Sequence, residues 1–123
     1  MNKVIASQVL AVANAQAETR EIHTVEGDTL SSPAVVKILA EGESMILLEV
    51  YMPEGGESPP HTHDHESVGY VVSGQVTSII DGVTHDMGPG DGFRHPPKIV
   101  HNMKAGSGGA VWLEIKSPPS RTW

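Results

Sequence analysis

Residues 68–92 read VGYVVSGQVTSIIDGVTHDMGPGDG, and this stretch decides the fold class. Val68 to Val72 and Val76 to Ile80 are short runs of β-branched and apolar residues, the composition of strands rather than helices. Ser73-Gly74 between them reads as a turn. Asp81-Gly82 follows the second run. Asp-Gly between apolar runs signals a hairpin, because both residues tolerate positive φ. Gly88 to Gly92 then ends the unit in another turn.

The same pattern continues outward in both directions. Upstream, Ala34 to Leu39 is a β-branched run, Glu41-Gly42-Glu43 its turn, and Met45 to Met52 the longest apolar run, interrupted strongly only by Glu49. Pro53 to Pro60 holds three prolines and two glycines, which suit neither a ladder nor a helix, so it is a loop. Downstream, Pro96-Pro97 and Gly106 to Gly109 read as turns, and Ala110 to Ile115 as a last strand before Pro118-Pro119. Residues 18 to 33 are polar and mixed, with a turn expected at Gly27-Asp28 and Pro33 closing the segment. Met45, Met52 and Met103 are expected to fill the core. No segment after residue 20 keeps helical periodicity over three turns. Short strands separated by frequent turns imply an all-β sandwich or barrel. The expected organisation is an N-terminal segment 1–33, serving as an edge or swapped strand, a barrel 34–117, and a tail 118–123. A chain of 123 residues fits one such domain.

Composition narrows the function. The formal net charge is -7, and the eight Lys and Arg residues are scattered from Lys3 to Arg121. Binding to nucleic acid needs those side chains clustered, so no nucleic-acid partner is expected. No apolar stretch approaches the roughly 20 residues of a membrane span, so no membrane partner is expected either. Cysteine is absent, which removes disulfides, zinc–thiolate sites and thiol nucleophiles. Near the N-terminus, Lys3, the run Val4 to Ala13 and Ala15-x-Ala17 loosely resemble a secretory leader. Ser7 and Gln8 interrupt that run and the charged region is one lysine. A cytoplasmic protein is therefore expected, with a secreted or periplasmic one as the alternative.

Histidine is the outlier. Seven occur, and six of them lie between His61 and His101. His61, His63 and His65 alternate with Thr62 and Asp64, and on an extended backbone such residues share a face. His101 lies on a later run. Neutral imidazole is the commonest protein ligand for first-row transition metals, so a metal site is expected here. The plainer alternative is a solvated histidine-rich loop. His23 and His85 read as surface residues. Ser67 lacks the nucleophile elbow of a serine hydrolase.

Two longer patterns carry a family resemblance. Gly55-x5-His61-x-His63-x3-Ser67-x6-Gly74 resembles the first cupin motif, G-x5-H-x-H-x(3 or 4)-E-x6-G. Gly90-x5-Pro96-x-Lys98-x2-His101 resembles the second, G-x5-P-x-G-x2-H-x3-N. The resemblance spans roughly residues 35 to 117. It implies a jelly-roll barrel (a double-stranded β-helix), usually dimeric, with one divalent transition ion (Fe, Mn, Ni or Zn) held by His61, His63 and His101. Three positions depart from the motifs: Ser67 replaces the usual carboxylate, Lys98 a glycine, and Ala105 the final asparagine. The resemblance then implies three neutral ligands, with His65, or Ser67 through water, as further candidates; Glu66 has the wrong parity. An ion so held keeps its full charge and favours anionic chelating substrates. His95 stands at a position usually apolar in the family, where a buried polar group needs a partner, and is a candidate base behind the ligands. Tyr70 is out of phase with Ser67 and should face outward. Trp112 and Glu114 share one face of the last strand.

A small metal-dependent enzyme is the expectation, a dioxygenase or an isomerase or hydratase, acting on a small polar or anionic molecule. The alternative is a non-catalytic binding or sensing module. A homodimer is expected, because Ala34 to Leu39 would form an edge strand that needs cover.

Overall fold

The computed structural model describes residues 9–123. They form an all-β jelly roll with one 3-10 turn at Asn14–Gln16 and no α-helix. The strands are β1 (Glu18–Val25), β2 (Asp28–Glu41), β3 (Ile46–Met52), β4 (Glu66–Ile80), β5 (Val83–Met87), β6 (Gly92–His95) and β7 (Lys104–Ser117). Hydrogen bonding orders them β1-β2-β3-β7-β4-β5, with β6 on the free side of the first half of β4. Every pairing is antiparallel. Among the described residues no helix is long and apolar enough to cross a membrane.

Alternation places the core. On β3, Ile46, Leu48, Val50 and Met52 point inward, and on β7 Ala110 and Trp112 join them. Met52 and Met103 are buried as expected, whereas Met45 is 51% exposed, because it sits in the turn before β3 rather than on its inward face.

Several sequence expectations about turns are corrected. Residues 18–33, read as a polar segment, form β1 and the start of β2, and Ile22 and Leu30 supply core side chains. Their hairpin turns at Glu26-Gly27 (φ 50° and 82°), one residue earlier than Gly27-Asp28. Alternating polar residues hid this strand, since only one of its side chains is fully buried. Asp81-Gly82 makes the expected turn, with φ 51° and 78°. Ser73-Gly74 and Gly106 to Gly109 are not turns but lie within β4 and β7. Gly74 has φ 79°, and a Cβ there would lie 2.1 Å from the Gly109 carbonyl oxygen. The glycine therefore marks an irregularity where two long strands bend closely past each other. Ala34 to Leu39 is not an open edge either: it lies within β2, bonded to β1 on one side and β3 on the other. The leader-like reading begins at Lys3, so its first part lies outside the described residues, while Ala17 is fully buried.

Candidate metal centre

Backbone pairing brings the two histidine motifs together. His61 and His101 exchange N–H···O bonds, each 3.0 Å, an isolated antiparallel bridge that sets their rings 4.4 Å apart. The His63 carbonyl accepts the Lys98 N–H at 2.7 Å, which fastens the loop carrying His63 to the turn before His101. The His61 and His63 ring centroids are 4.6 Å apart, and those of His63 and His101 are 5.0 Å apart. One ring nitrogen from each of the three lies within 4.8 Å of the others, so they are positioned to bind a metal ion.

The tautomers follow from the neighbours. His61 Nδ1 faces the Pro59 carbonyl at 2.6 Å, His101 Nδ1 the Ile99 carbonyl at 3.1 Å, and His63 Nδ1 a Glu26 carboxylate oxygen at 2.7 Å. All three partners only accept, so each Nδ1 carries the hydrogen and each Nε2 keeps its lone pair. Three fixed lone pairs directed to one place fit a divalent ion better than a solvated loop. Burial, then the positive Lys116 and the other histidines, lowers the His63 pKa to about 3. Burial, then His95 and His61, lowers that of His101 to about 4. Both rings are thus neutral at pH 7, the form a metal requires.

The other expected residues fall around this cluster. His65 stacks on His63 with centroids 4.4 Å apart, and its Nε2 is buried without a partner. Burial and Lys116 lower its pKa to about 4, against Glu114 and Glu26. Ser67 faces inward, fully buried, and its hydroxyl makes no hydrogen bond of good geometry among the described residues. His95 lies against His101, rings 3.9 Å apart and nearly parallel. Ser78 Oγ donates to the Asn102 carbonyl at 2.6 Å, so it can only accept from His95 Nε2, 3.4 Å away. His95 Nδ1 is therefore a buried lone pair with no donor. Glu66 turns to the surface, accepting from Arg94 at 2.7 Å. His23, His85 and Tyr70 are exposed.

Two functional candidates were not singled out from the sequence. Glu26 reaches His63 from a hairpin 37 residues away, and no local pattern announces that. Lys116 follows Trp112 and Glu114 at the same parity on β7, so alternation could have found it. All three line a cavity of about 70 Å³, together with His61, His63, His95 and His101. Most of its wall is apolar, and Thr122 and Trp123 of the tail narrow it. Trp112 Nε1 donates to Glu114 Oε1 at 3.1 Å. Burial alone would raise the Glu114 pKa, but Lys116, His95, the Trp112 N–H and the nearby Ser67 hydroxyl bring it down to about 2. Burial lowers the Lys116 pKa, opposed by Glu114 and Glu26.

A family model described as "Cupin domain" matches residues 48–116, more than half of the chain and the segment that carries all three histidines. The chain belongs to the cupin family. Solved cupin structures superpose closely on it. An RmlC-like cupin from Shewanella frigidimarina matches with a TM-score of 0.79 at 23% identity, covering 93% of this chain and 95% of that one. KdgF from a Halomonas species gives 0.68 at 28% identity, covering 72% and 80%. The polyketide cyclase RemF from Streptomyces resistomycificus gives 0.75 at 20%, covering 89% and 79%. No match was found among curated proteins. The superpositions at 23% and 20% identity establish the cupin fold and no more.

Proposed function

We propose that this cupin is a metal-dependent enzyme in which His61, His63 and His101 hold one divalent transition ion (Fe, Mn, Ni or Zn). Its reaction is a redox-neutral isomerisation or hydration of a small, oxygen-rich organic molecule. The supporting observation is the joint placement of three preset Nε2 lone pairs and an acceptor–donor pair, Glu114 and Lys116, around one cavity. The ion would supply Lewis acidity to substrate oxygens. The protein's own groups do the rest. Glu114, ionised at neutral pH, accepts a hydrogen bond from a substrate hydroxyl, and Lys116 donates to a carbonyl or carboxylate. His95 Nδ1 offers a further acceptor. Apolar walls exclude water, which strengthens each of these contacts.

Metal analysis of the purified protein, with parallel aerobic and anaerobic activity screens, tests the reading. Zinc, nickel or manganese with no O2 uptake is the expected result; iron with O2 uptake would replace it by a dioxygenase. His61→Ala should lose stoichiometric metal yet stay folded, because the barrel core rather than the ion supplies most of the burial. Full metal content in that variant would overturn the ligand assignment. A non-catalytic binding module is the second reading, favoured by Thr122 and Trp123 lying in the cavity; it requires metal and ligand binding with no turnover in either screen.

The proposed assembly is a homodimer. With β2 covered by β1, the supporting feature moves to the outer sheet face, where Val68, Tyr70, Val72, Tyr51 and Ile115 are exposed. Val68 pairs with Ile115 across β4 and β7, which sets these two apolar side chains side by side on that face. Light scattering at micromolar concentration should give twice 13.1 kDa, and a monomer would refute the dimer.

A further inference from the structure

We propose that Lys116 and Ser67 form an organic-anion subsite beside the three-histidine cluster, which makes the substrate a small carboxylate. This rests on the reading of the cavity as a substrate site and names its substrate class. The placement comes from strand register. Lys116 pairs with Ser67 across β7 and β4, and Ser67 pairs in turn with His95 across β4 and β6. These three buried polar residues therefore make one row across the inner face of the sheet. Adjacent members of such a row have Cβ atoms about 5 Å apart. The row ends at His95, which lies against His101.

Unused hydrogen-bonding capacity marks the middle of that row. A lysine ammonium has three donors. One goes to Thr122 Oγ1 at 3.0 Å, and Glu114 Oε2, at 4.0 Å, is too far for a hydrogen bond. The Ser67 hydroxyl beside it is fully buried and makes no hydrogen bond of good geometry among the described residues, although it lies near the Glu114 carboxylate. Lysine is rarely buried unless paired, and neutralising Glu114 alone would call for a closer contact than this one. A carboxylate placed between Lys116 and Ser67 takes the two spare ammonium hydrogens and the hydroxyl hydrogen, and displaces Thr122. Ser67 stands at the motif position where a carboxylate is usual. A ligand's carboxylate would take that place once Thr122 moves off Lys116.

Lactate and its neutral amide, lactamide, test this, followed by tryptophan fluorescence, because both tryptophans of the chain line the cavity. Zinc-loaded and chelator-treated protein are titrated in parallel, and zinc content is measured on every preparation. Lactate should bind the zinc form at least about tenfold more tightly than lactamide. A bound ion could produce that preference by itself, so Lys116→Met decides: it should erase the preference and leave zinc stoichiometry unchanged. Should Lys116→Met not fold, Ser67→Glu takes its place. It sets a carboxylate against Lys116 and should weaken lactate at least about tenfold while tightening zinc. Wild-type lactate affinity in either folded variant overturns the subsite. So does equal binding of acid and amide by the wild type, or binding of neither at millimolar concentration. Protein that takes no zinc, yet prefers the acid through Lys116, refutes the metal reading and keeps the subsite.

Discussion

The histidine side of the cavity and its β7 wall differ in how their polar groups are satisfied. On the histidine side, each Nδ1 of the three candidate ligands His61, His63 and His101 has an acceptor within 3.1 Å, and two backbone clamps hold the loops. Among the described residues only His65 Nε2 and His95 Nδ1, behind them, are buried ring nitrogens without a partner. On the wall, Glu114 and Lys116 stop 4.0 Å apart, and Ser67 of the neighbouring β4 makes no hydrogen bond of good geometry among the described residues. Buried polar groups are normally paired. A finished set of second nitrogens frees the first set for an ion, and an unfinished wall leaves donors for a ligand. The contrast separates the part of the site that is preorganised from the part that a substrate completes.

Acid gives the largest test of the contrast, because it attacks the histidine side through several groups at once. In metal-free protein the pKa values of His63, His65, His95 and His101 fall from 6.5 to between about 3 and about 4, chiefly through burial. Between these limits the unfolded chain binds more protons than the folded one. Stability is therefore complete above pH 6.5 and falls steadily as pH drops toward 4. Urea unfolding of chelator-treated protein at pH 7.5, 6 and 5 should show the midpoint dropping with each step. A flat profile would mean that these rings are hydrated and that the preorganised side does not exist. Glu114 shifts in the same sense, but its loss falls between the ordinary carboxylate range and about pH 2, below this window.

Glu26 sharpens the comparison at smaller scale. It is the charged member of the three Nδ1 acceptors and comes from the β1–β2 hairpin. Removing such an outer partner of a metal-bound histidine typically costs about 10- to 100-fold in metal affinity. Glu26→Ala should weaken zinc by that factor in a competition titration, with Glu26→Gln, which keeps an acceptor, in between. Unchanged affinity in Glu26→Ala would show that His63 is oriented by its backbone clamp alone.

How much of this was legible depended on range. The all-β class was readable from local grammar, short β-branched runs and the Asp81-Gly82 turn, whereas the jelly roll and the set His61, His63 and His101 came from the resemblance to the two cupin motifs. Gly74 misled because glycine serves both turns and strand irregularities, and only the Gly109 backbone across the sheet decides between them. The polar face of β1 hid a strand whose partner lies beyond a turn. Lys116 was hidden by its charge, which suggests solvent, although its parity on the last strand pointed inward. Glu26 could not have been found, since its contact with His63 joins segments that only the closed barrel brings together.

The smallest effect concerns a clamp on the histidine side. Lys98 has φ 62°, the left-handed region, at the position where the second motif has glycine, and its N–H holds the His63 carbonyl at 2.7 Å. A residue with a Cβ is strained there by roughly 1–2 kcal/mol, whereas glycine is not. Glycine gives back part of the gain, because its unfolded chain is freer by roughly 0.5–1 kcal/mol. Lys98→Gly should therefore stabilise the protein by no more than about 1.5 kcal/mol. The urea midpoint would rise with its slope unchanged. Zinc affinity should not move, because the clamp uses the backbone N–H, which glycine keeps. A lower midpoint would mean that the lysine side chain contributes more than its backbone strain costs. A loss of zinc with an unchanged midpoint would mean that the lysine side chain, rather than its N–H, holds the loop carrying His63.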